Sequence, residues 1–277
     1  MTISQSEFQY IADLVLNETA IVLDADKQYL VEARLSLLVH ETGQENMSAL
    51  IAMARIPDNK LLREHIIDAM TTNETSFFRD TRPFSDLKDI IMPDLIKARS
   101  DTRQINIWCA ASSSGQEPYS IAMTLHSNFK ILKDWKLNIT ASDISSKVLT
   151  KARGGKYSQI EINRGLPKDM LSRYFTPVES DWVINDELRN MIDFRKINLI
   201  NPYTGMPKFD LIFIRNVLIY FNEETKKLIL NKLADLMKPD SLIILGGTET
   251  PMNITDLFER YQKAHASVYQ LRTGQVD

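Results

Sequence analysis

The spacing of apolar positions divides the chain near residue 71. Before that point the period is helical. Ser4, Gln5, Ser6 and Glu7 have capping-box spacing, and Phe8, Ile11, Leu14 and Val15 follow at helical intervals. Tyr29, Leu30, Leu35, Leu37, Leu38 and Val39 predict a second helix that Gly43 closes. Residues 48–54 and 59–70 read as two more. Residues 1–70 are therefore expected to form a small all-helical N-terminal domain without strands.

A polar stretch follows, and residues 71–82 read as a linker running through Phe77, Phe78 and Arg79. Residues 84–98 predict one amphipathic helix. From there strands alternate with helices: strand 105–110, helix 118–129, strand 137–142 ending at Asp143, helix 145–153. Residues 154–191 break the rhythm, with Gly165, Pro167 and Pro177 scattered through them. They read as an insertion of short helices with a small hairpin around residues 182–184. The sheet resumes at 192–197, followed by a buried strand at 209–215, a helix at 223–237, and strands at 241–246 and 268–271. This alternation predicts an α/β fold, a doubly wound and mainly parallel sheet over residues 83–277, carrying a small inserted β-subdomain.

Composition narrows the function. Of 277 residues, 44% are hydrophobic and 25% charged, which suits a globular protein. No apolar run approaches the roughly 18 residues that a membrane helix needs. The polar start with Glu7 is unlike a secretory signal, so a cytoplasmic protein without membrane insertion is expected. Cys109 is the single cysteine, which excludes an internal disulfide and a thiolate zinc cluster. His40, His65, His126 and His265 form no HxxxH pair, so no metal is expected. Residues 1–70 hold 11 acidic and 5 basic side chains, a charge of −6, against +3 for the remainder. That small excess gives no basic face of the kind a nucleic-acid binder shows, and no nucleic-acid partner is expected.

In open α/β sheets the ligand sits beyond the carboxyl ends of the strands, and three predicted strand ends carry chemistry. After the first comes Ala110–Ala111–Ser112–Ser113–Ser114–Gly115–Gln116–Glu117–Pro118. Its small residues would let a backbone approach a ligand, and Gly115 can take a positive φ. With one glycine it fails as a GxGxxG fingerprint, there is no GxxxxGK[ST], and a plain tight turn with Pro118 at the helix start fits equally. The second strand ends at Asp143, placed either to accept hydrogen bonds from ribose hydroxyls or, like Ser145, to cap the next helix. The strand 209–214 ends in Arg215–Asn216, a polar pair at the mouth of an apolar strand, which suggests ligand contact.

Taken together, Thr72–Asn73–Glu74–Thr75–Ser76–Phe77–Phe78–Arg79, the 110–122 segment ending Tyr119–Ser120–Ile121–Ala122, and Arg215–Asn216–Val217–Leu218–Ile219–Tyr220–Phe221 resemble the CheR family of chemoreceptor glutamate methyltransferases. The resemblance covers essentially the whole chain in the same order. It implies a class I methyltransferase, Rossmann-like, that uses S-adenosyl-L-methionine, releases S-adenosyl-L-homocysteine, and meets the cytoplasmic helical bundle of chemoreceptors. Asn73, Thr75 and Arg79 match positions that reach the cofactor from the linker. Glu117 and Asp143 match carboxylates that hold its amino group and ribose, with Gly115 in the same loop. Asn198–Leu199 and Arg215–Asn216 match contacts to its adenine and methionine portions. Tyr220 matches a residue near the transferred methyl, and Arg79 and Tyr220 are the expected catalytic pair.

Two segments depart from the family. Many members carry an arginine-rich second helix thought to dock on the receptor; here Arg34–Leu35 is followed by Ser36, Leu37 and Leu38. Members that tether to a receptor pentapeptide have a glycine-rich loop in the β-subdomain, whereas residues 174–182 contain no glycine. A pentapeptide-independent enzyme is therefore expected. The rival readings are a methyltransferase for another protein or a small carboxylic acid, and a cofactor-binding regulator that transfers nothing.

Overall fold

A computed structural model of the chain describes residues 2–272. They fall into two compact units, one made of the residues up to 72 together with 220–225, the other of residues 73–219 and those from 226 onward. No helix among the described residues is long and apolar enough to cross a membrane.

The first unit holds four helices, α1 (Gln5–Thr19), α2 (Gln28–Thr42), α3 (Met47–Ala54) and α4 (Lys60–Met70). The capping box forms as its spacing predicts. The Glu7 N–H donates to the Ser4 hydroxyl at 3.3 Å, and the Ser4 N–H donates to the Glu7 carboxylate at 2.7 Å. Gly43, at φ 66°, closes α2 in the left-handed conformation that glycine tolerates. Phe8, Ile11 and Val15 of α1 pack with Val31, Leu35 and Leu38 of α2 and with Leu50, Ile66 and Met70 from the other helices. Arg34 is turned to internal use: it donates to the Met70 carbonyl at 2.5 Å and to the Thr72 hydroxyl at 3.1 Å, satisfying the end of α4.

The second unit opens with α5 (Arg82–Asp86) and α6 (Met92–Ala98), separated by one wide turn, Leu87–Ile91. The single helix expected over 84–98 is thus interrupted. Pro93 has no N–H to donate, and the Met92 N–H reaches back five residues to the Leu87 carbonyl, the bulge that such a gap permits. Then come β1 (Gln104–Ala110), α7 (Gln116–Asn128), β2 (Lys136–Asp143) and α8 (Ser146–Gly154). The insertion supplies β3 (Lys156–Ser158), α9 (Gln159–Asn163), α10 (Lys168–Tyr174), β4 (Phe175–Val178), β5 (Asp181–Ile184) and α11 (Asp186–Arg189). After it follow β6 (Ile192–Lys196), β7 (Phe209–Ile214), α12 (Glu223–Asp235), β8 (Met237–Leu245), β9 (Phe258–Arg260) and β10 (Val268–Leu271).

Seven strands form the main sheet in the order β6-β2-β1-β7-β8-β10-β9. The first five run parallel and the last two join antiparallel. β1 and β7 are mostly apolar and buried on both faces, as central parallel strands are when helices cover both sides, with Asn106 and the ion-paired Asp210 as buried exceptions. The inserted residues form a separate antiparallel sheet, β3-β5-β4. The fold is therefore the expected doubly wound α/β sheet with a helical N-terminal part and an inserted β-subdomain. Some boundaries moved. α12 stops at Asp235 and β8 starts at Met237, four residues before the apolar run that marked it, while β3, β4 and β9 carried no readable pattern.

Candidate functional site

Three strand ends meet where the strand order reverses. Ala110 of β1 lies opposite Ser142 of β2 on one side and Ile214 of β7 on the other. The loops that leave these strands therefore emerge side by side at the topological switch point, the place where doubly wound sheets hold ligands.

The loop after β1 is built from unusual backbone. Ala111, Ser113 and Gly115 take φ of 55°, 48° and 94°. Glycine suits 115 because its φ of 94° is one that side chains rarely adopt, and a Cβ there would crowd the Ala152 Cβ and the Tyr157 hydroxyl, each at 3.0 Å. The turn is fastened from several directions. The Tyr157 hydroxyl, from the insertion, donates to the Ser114 carbonyl at 2.8 Å, and the Ser113 hydroxyl donates to the Asn73 carbonyl at 2.8 Å. Asp143 accepts the Ser113 N–H at 2.9 Å on one oxygen and the Ser145 N–H at 3.0 Å on the other. Of the two roles open to Asp143, the helix cap falls to Ser145, whose hydroxyl accepts the Val148 N–H at 3.4 Å.

Glu117, in the first turn of α7, and Arg215, just past β7, form the charged centre. Glu117 accepts from the Cys109 thiol at 2.9 Å and from Arg215 Nη1 at 2.5 Å. The other arm of Arg215, Nη2, donates to the Arg79 carbonyl at 3.0 Å and to Asp80 at 2.7 Å. Burial opposes the charge on Arg215, but Glu117 and then Asp80 outweigh it and raise its pKa above the ordinary value. Burial also pushes the Cys109 thiol up, and the neighbouring Glu117 adds to the shift. Arg215 Nε and the Ser112 hydroxyl are buried without a partner among the described residues, a condition native proteins seldom leave without a ligand or water.

The remaining expected site residues lie on the linker, after β6 and after β7. Thr75 is half-buried in the linker, and Arg79 lies half-buried with Nη1 donating to the Glu74 carbonyl at 3.0 Å. Asn198 and Leu199 follow β6 beside Asp143, whose carbonyl accepts the Ile197 N–H at 3.0 Å. Asn198 accepts the Ile200 N–H at 3.2 Å, and the Leu199 carbonyl accepts from Tyr203 at 2.8 Å. Asn216 sits at φ 57°. Tyr220 ends a short turn, Leu218–Tyr220, and groups with the helical unit rather than with the sheet. Sequence reasoning missed Asp80, Tyr157, Cys109 and Glu249. Asp80 directly follows a motif, and that adjacency was its signal; nothing in the local sequence marks Tyr157, which arrives from the insertion.

Two family descriptions match in tandem, "CheR methyltransferase, all-alpha domain" over residues 6–71 and "CheR methyltransferase, SAM binding domain" over residues 73–267. The chain belongs to the CheR methyltransferase family. A chemotaxis protein methyltransferase of Pseudomonas aeruginosa is 37% identical over 277 residues, covering 98% of this chain and 100% of that protein. One from Vibrio parahaemolyticus is 38% identical over 275 residues, covering 98% and 99%. This CheR family member is an S-adenosylmethionine-dependent methyltransferase, and the side chains at its switch point fit that cofactor. Carboxylates at Glu117 and Asp143 suit an ammonium, a sulfonium and ribose hydroxyls, while the orphaned Arg215 Nε and Ser112 hydroxyl suit a carboxylate.

Proposed function

We propose that the chain methylates glutamate side chains of chemoreceptors, acting as a protein-glutamate O-methyltransferase in the cytoplasm on the receptors' helical bundle. The observation that carries this reading is the convergence, at one switch point, of Glu117, Asp143 and Asn216 with the linker that bears Asn73, Thr75 and Arg79, tied in by Ser113 and Arg215. In this reading Glu117 and Asp143 hold the cofactor's amino group and ribose, Asn198, Leu199 and Asn216 contact its adenine and methionine portions, and Gly115 lets the backbone approach. Arg215 is a clamp as well as a contact, since its two arms hold Glu117 and the Arg79–Asp80 backbone in one frame.

When bound, the cofactor supplies an electrophilic methyl on sulfur. Glu117, Asp143 and Asn216 would hold it while an acceptor oxygen takes that methyl with the bonding pair left on sulfur, so no proton need move. A glutamate side chain ordinarily titrates near pH 4.3 and is already ionised around pH 7, so the protein has no base to provide. Its task is placement, and well-oriented reactants lower the barrier by about 7–11 kcal/mol. Arg79 orients the acceptor carboxylate, for which a guanidinium has matching geometry.

The β-subdomain supports pentapeptide independence. Its hairpin turn is two residues long, with Val178 opposite Asp181, and its edge strand β4 carries Pro177, which offers no N–H to an added strand. The test is incubation with methyl-labelled cofactor and a receptor cytoplasmic fragment, followed by mild alkali. The expected label is on glutamate and leaves as volatile methanol, as an ester must. Label that survives alkali, or that appears only on small acids, would sink the assignment. Titration with a receptor-tail pentapeptide is expected to show no micromolar binding.

A further inference from the structure

The loop that leaves β7 is held by a carboxylate from the end of the neighbouring strand. Glu249, in the turn after β8, is only 6% exposed, and its partners are backbone amides. Oε2 accepts from the Asn216 N–H at 2.8 Å and the Gly246 N–H at 2.7 Å, while Oε1 accepts from Val217 at 2.9 Å and Leu218 at 2.7 Å. Three consecutive N–H groups turned to one side make the kind of concavity that binds anions elsewhere, and here the chain fills it with its own. The packing leaves no slack. A Cβ on Gly246 would lie 2.6 Å from Glu249 Oε2 and 2.9 Å from the Asn216 nitrogen, so glycine is what lets the carboxylate in. The segment so fixed includes Asn216 at φ 57°, a left-handed conformation uncommon for residues with side chains and one that asparagine takes more readily than most.

We propose that Glu249 is a positioning residue for cofactor binding: by gathering the amides of residues 216–218 it holds Asn216 in the left-handed conformation, just past the end of β7, from which it meets the cofactor. This rests on the reading that Asn216 contacts S-adenosylmethionine. Glutamine at 249 would keep the volume but offer one acceptor oxygen and two unwanted donors to a ring of N–H groups.

The test is calorimetric titration of S-adenosylhomocysteine into the wild type, Glu249→Gln, Asn216→Ala and the double variant, with a melting temperature for each. Glu249→Gln is expected to weaken binding about 10- to 100-fold, in line with loss of hydrogen bonds to a charged group. The double variant is expected to be no worse than the weaker single one, and Glu249→Asp, which keeps the charge, to recover part of the loss. In turnover the change falls on KM for the cofactor, with KM for the acceptor protein unmoved, which a general loss of structure would not produce. A folded Glu249→Gln that binds like the wild type overturns the proposal, and so do additive losses in the double variant. If Asn216→Ala alone leaves binding intact, the assignment of Asn216 has failed and the proposal fails with it, a result distinct from the other two. Should the glutamine variant not fold, Glu249→Asp carries the same comparison.

Discussion

Cys109 shows how little a residue type says before its neighbours are known. It is fully buried on β1 and gives its thiol hydrogen to Glu117. Burial and that carboxylate both favour the neutral thiol, so Cys109 stays protonated at pH values where an unfolded thiol, with a pKa of about 8.5, ionises. The native protein is expected to give no thiol colour with a disulfide reagent at pH 8 and one equivalent after denaturation. The stability linked to this group is whole below about pH 8.5 and declines as pH rises toward the folded pKa, since the unfolded chain then releases a proton that the native one keeps. Urea unfolding of Cys109→Ala is therefore expected to change less than the wild type's between pH 7.5 and 9.5. For Arg79, alanine is expected to lower kcat about 100-fold while S-adenosylhomocysteine affinity falls less than about tenfold, the pattern of a group that orients the acceptor. Near-wild-type transfer would remove Arg79 from the mechanism.

At the scale of elements, the hairpin β4–β5 turns on Glu179, which takes φ 56° with a full side chain. The left-handed region costs a non-glycine residue about 1 kcal/mol or more, so Glu179→Gly is expected to stabilise the protein by about 0.5–1 kcal/mol after its larger loss of chain entropy. A calorimetric melting temperature unchanged or lowered would contradict this. The same hairpin marks a limit of pattern reading. Strands β1 and β7 were legible because burial on both faces demands largely apolar runs, here interrupted only by Asn106 and Asp210 after the first residue of β1. β4 was not, because Pro177 and its exposed residues look like a loop until β5 pairs with it. The helix over 84–98 was legible as an amphipathic stretch, while its wide turn was not, since that depends on how the backbone accommodates Pro93.

For the molecule as a whole, charge argues about docking. Residues 1–70 carry −6, and Arg34 is engaged at the end of α4. For the proposed receptor substrate, this charge leaves no basic helical surface in residues 1–70 to attract an acidic partner. Raising salt from 50 to 200 mM is expected to leave KM for a receptor fragment unchanged or to lower it, since screening removes repulsion. A steep rise in KM with salt would show that a basic surface does the docking.

The sequence by itself determined the alternation of strands and helices, the helical N-terminal part, and the placement of Gly115, Glu117, Asp143 and Arg215–Asn216 at strand ends. Those follow from local periodicity and from the need of a parallel sheet to bury its centre. Only the tertiary structure decided that Arg215 clamps Glu117 to the Arg79–Asp80 backbone, that Tyr157 pins the loop after β1, and that Glu249 gathers the amides beyond β7. These contacts join residues separated by between 31 and 136 positions, so no local pattern encodes them. They are fixed by which strands become neighbours at the switch point.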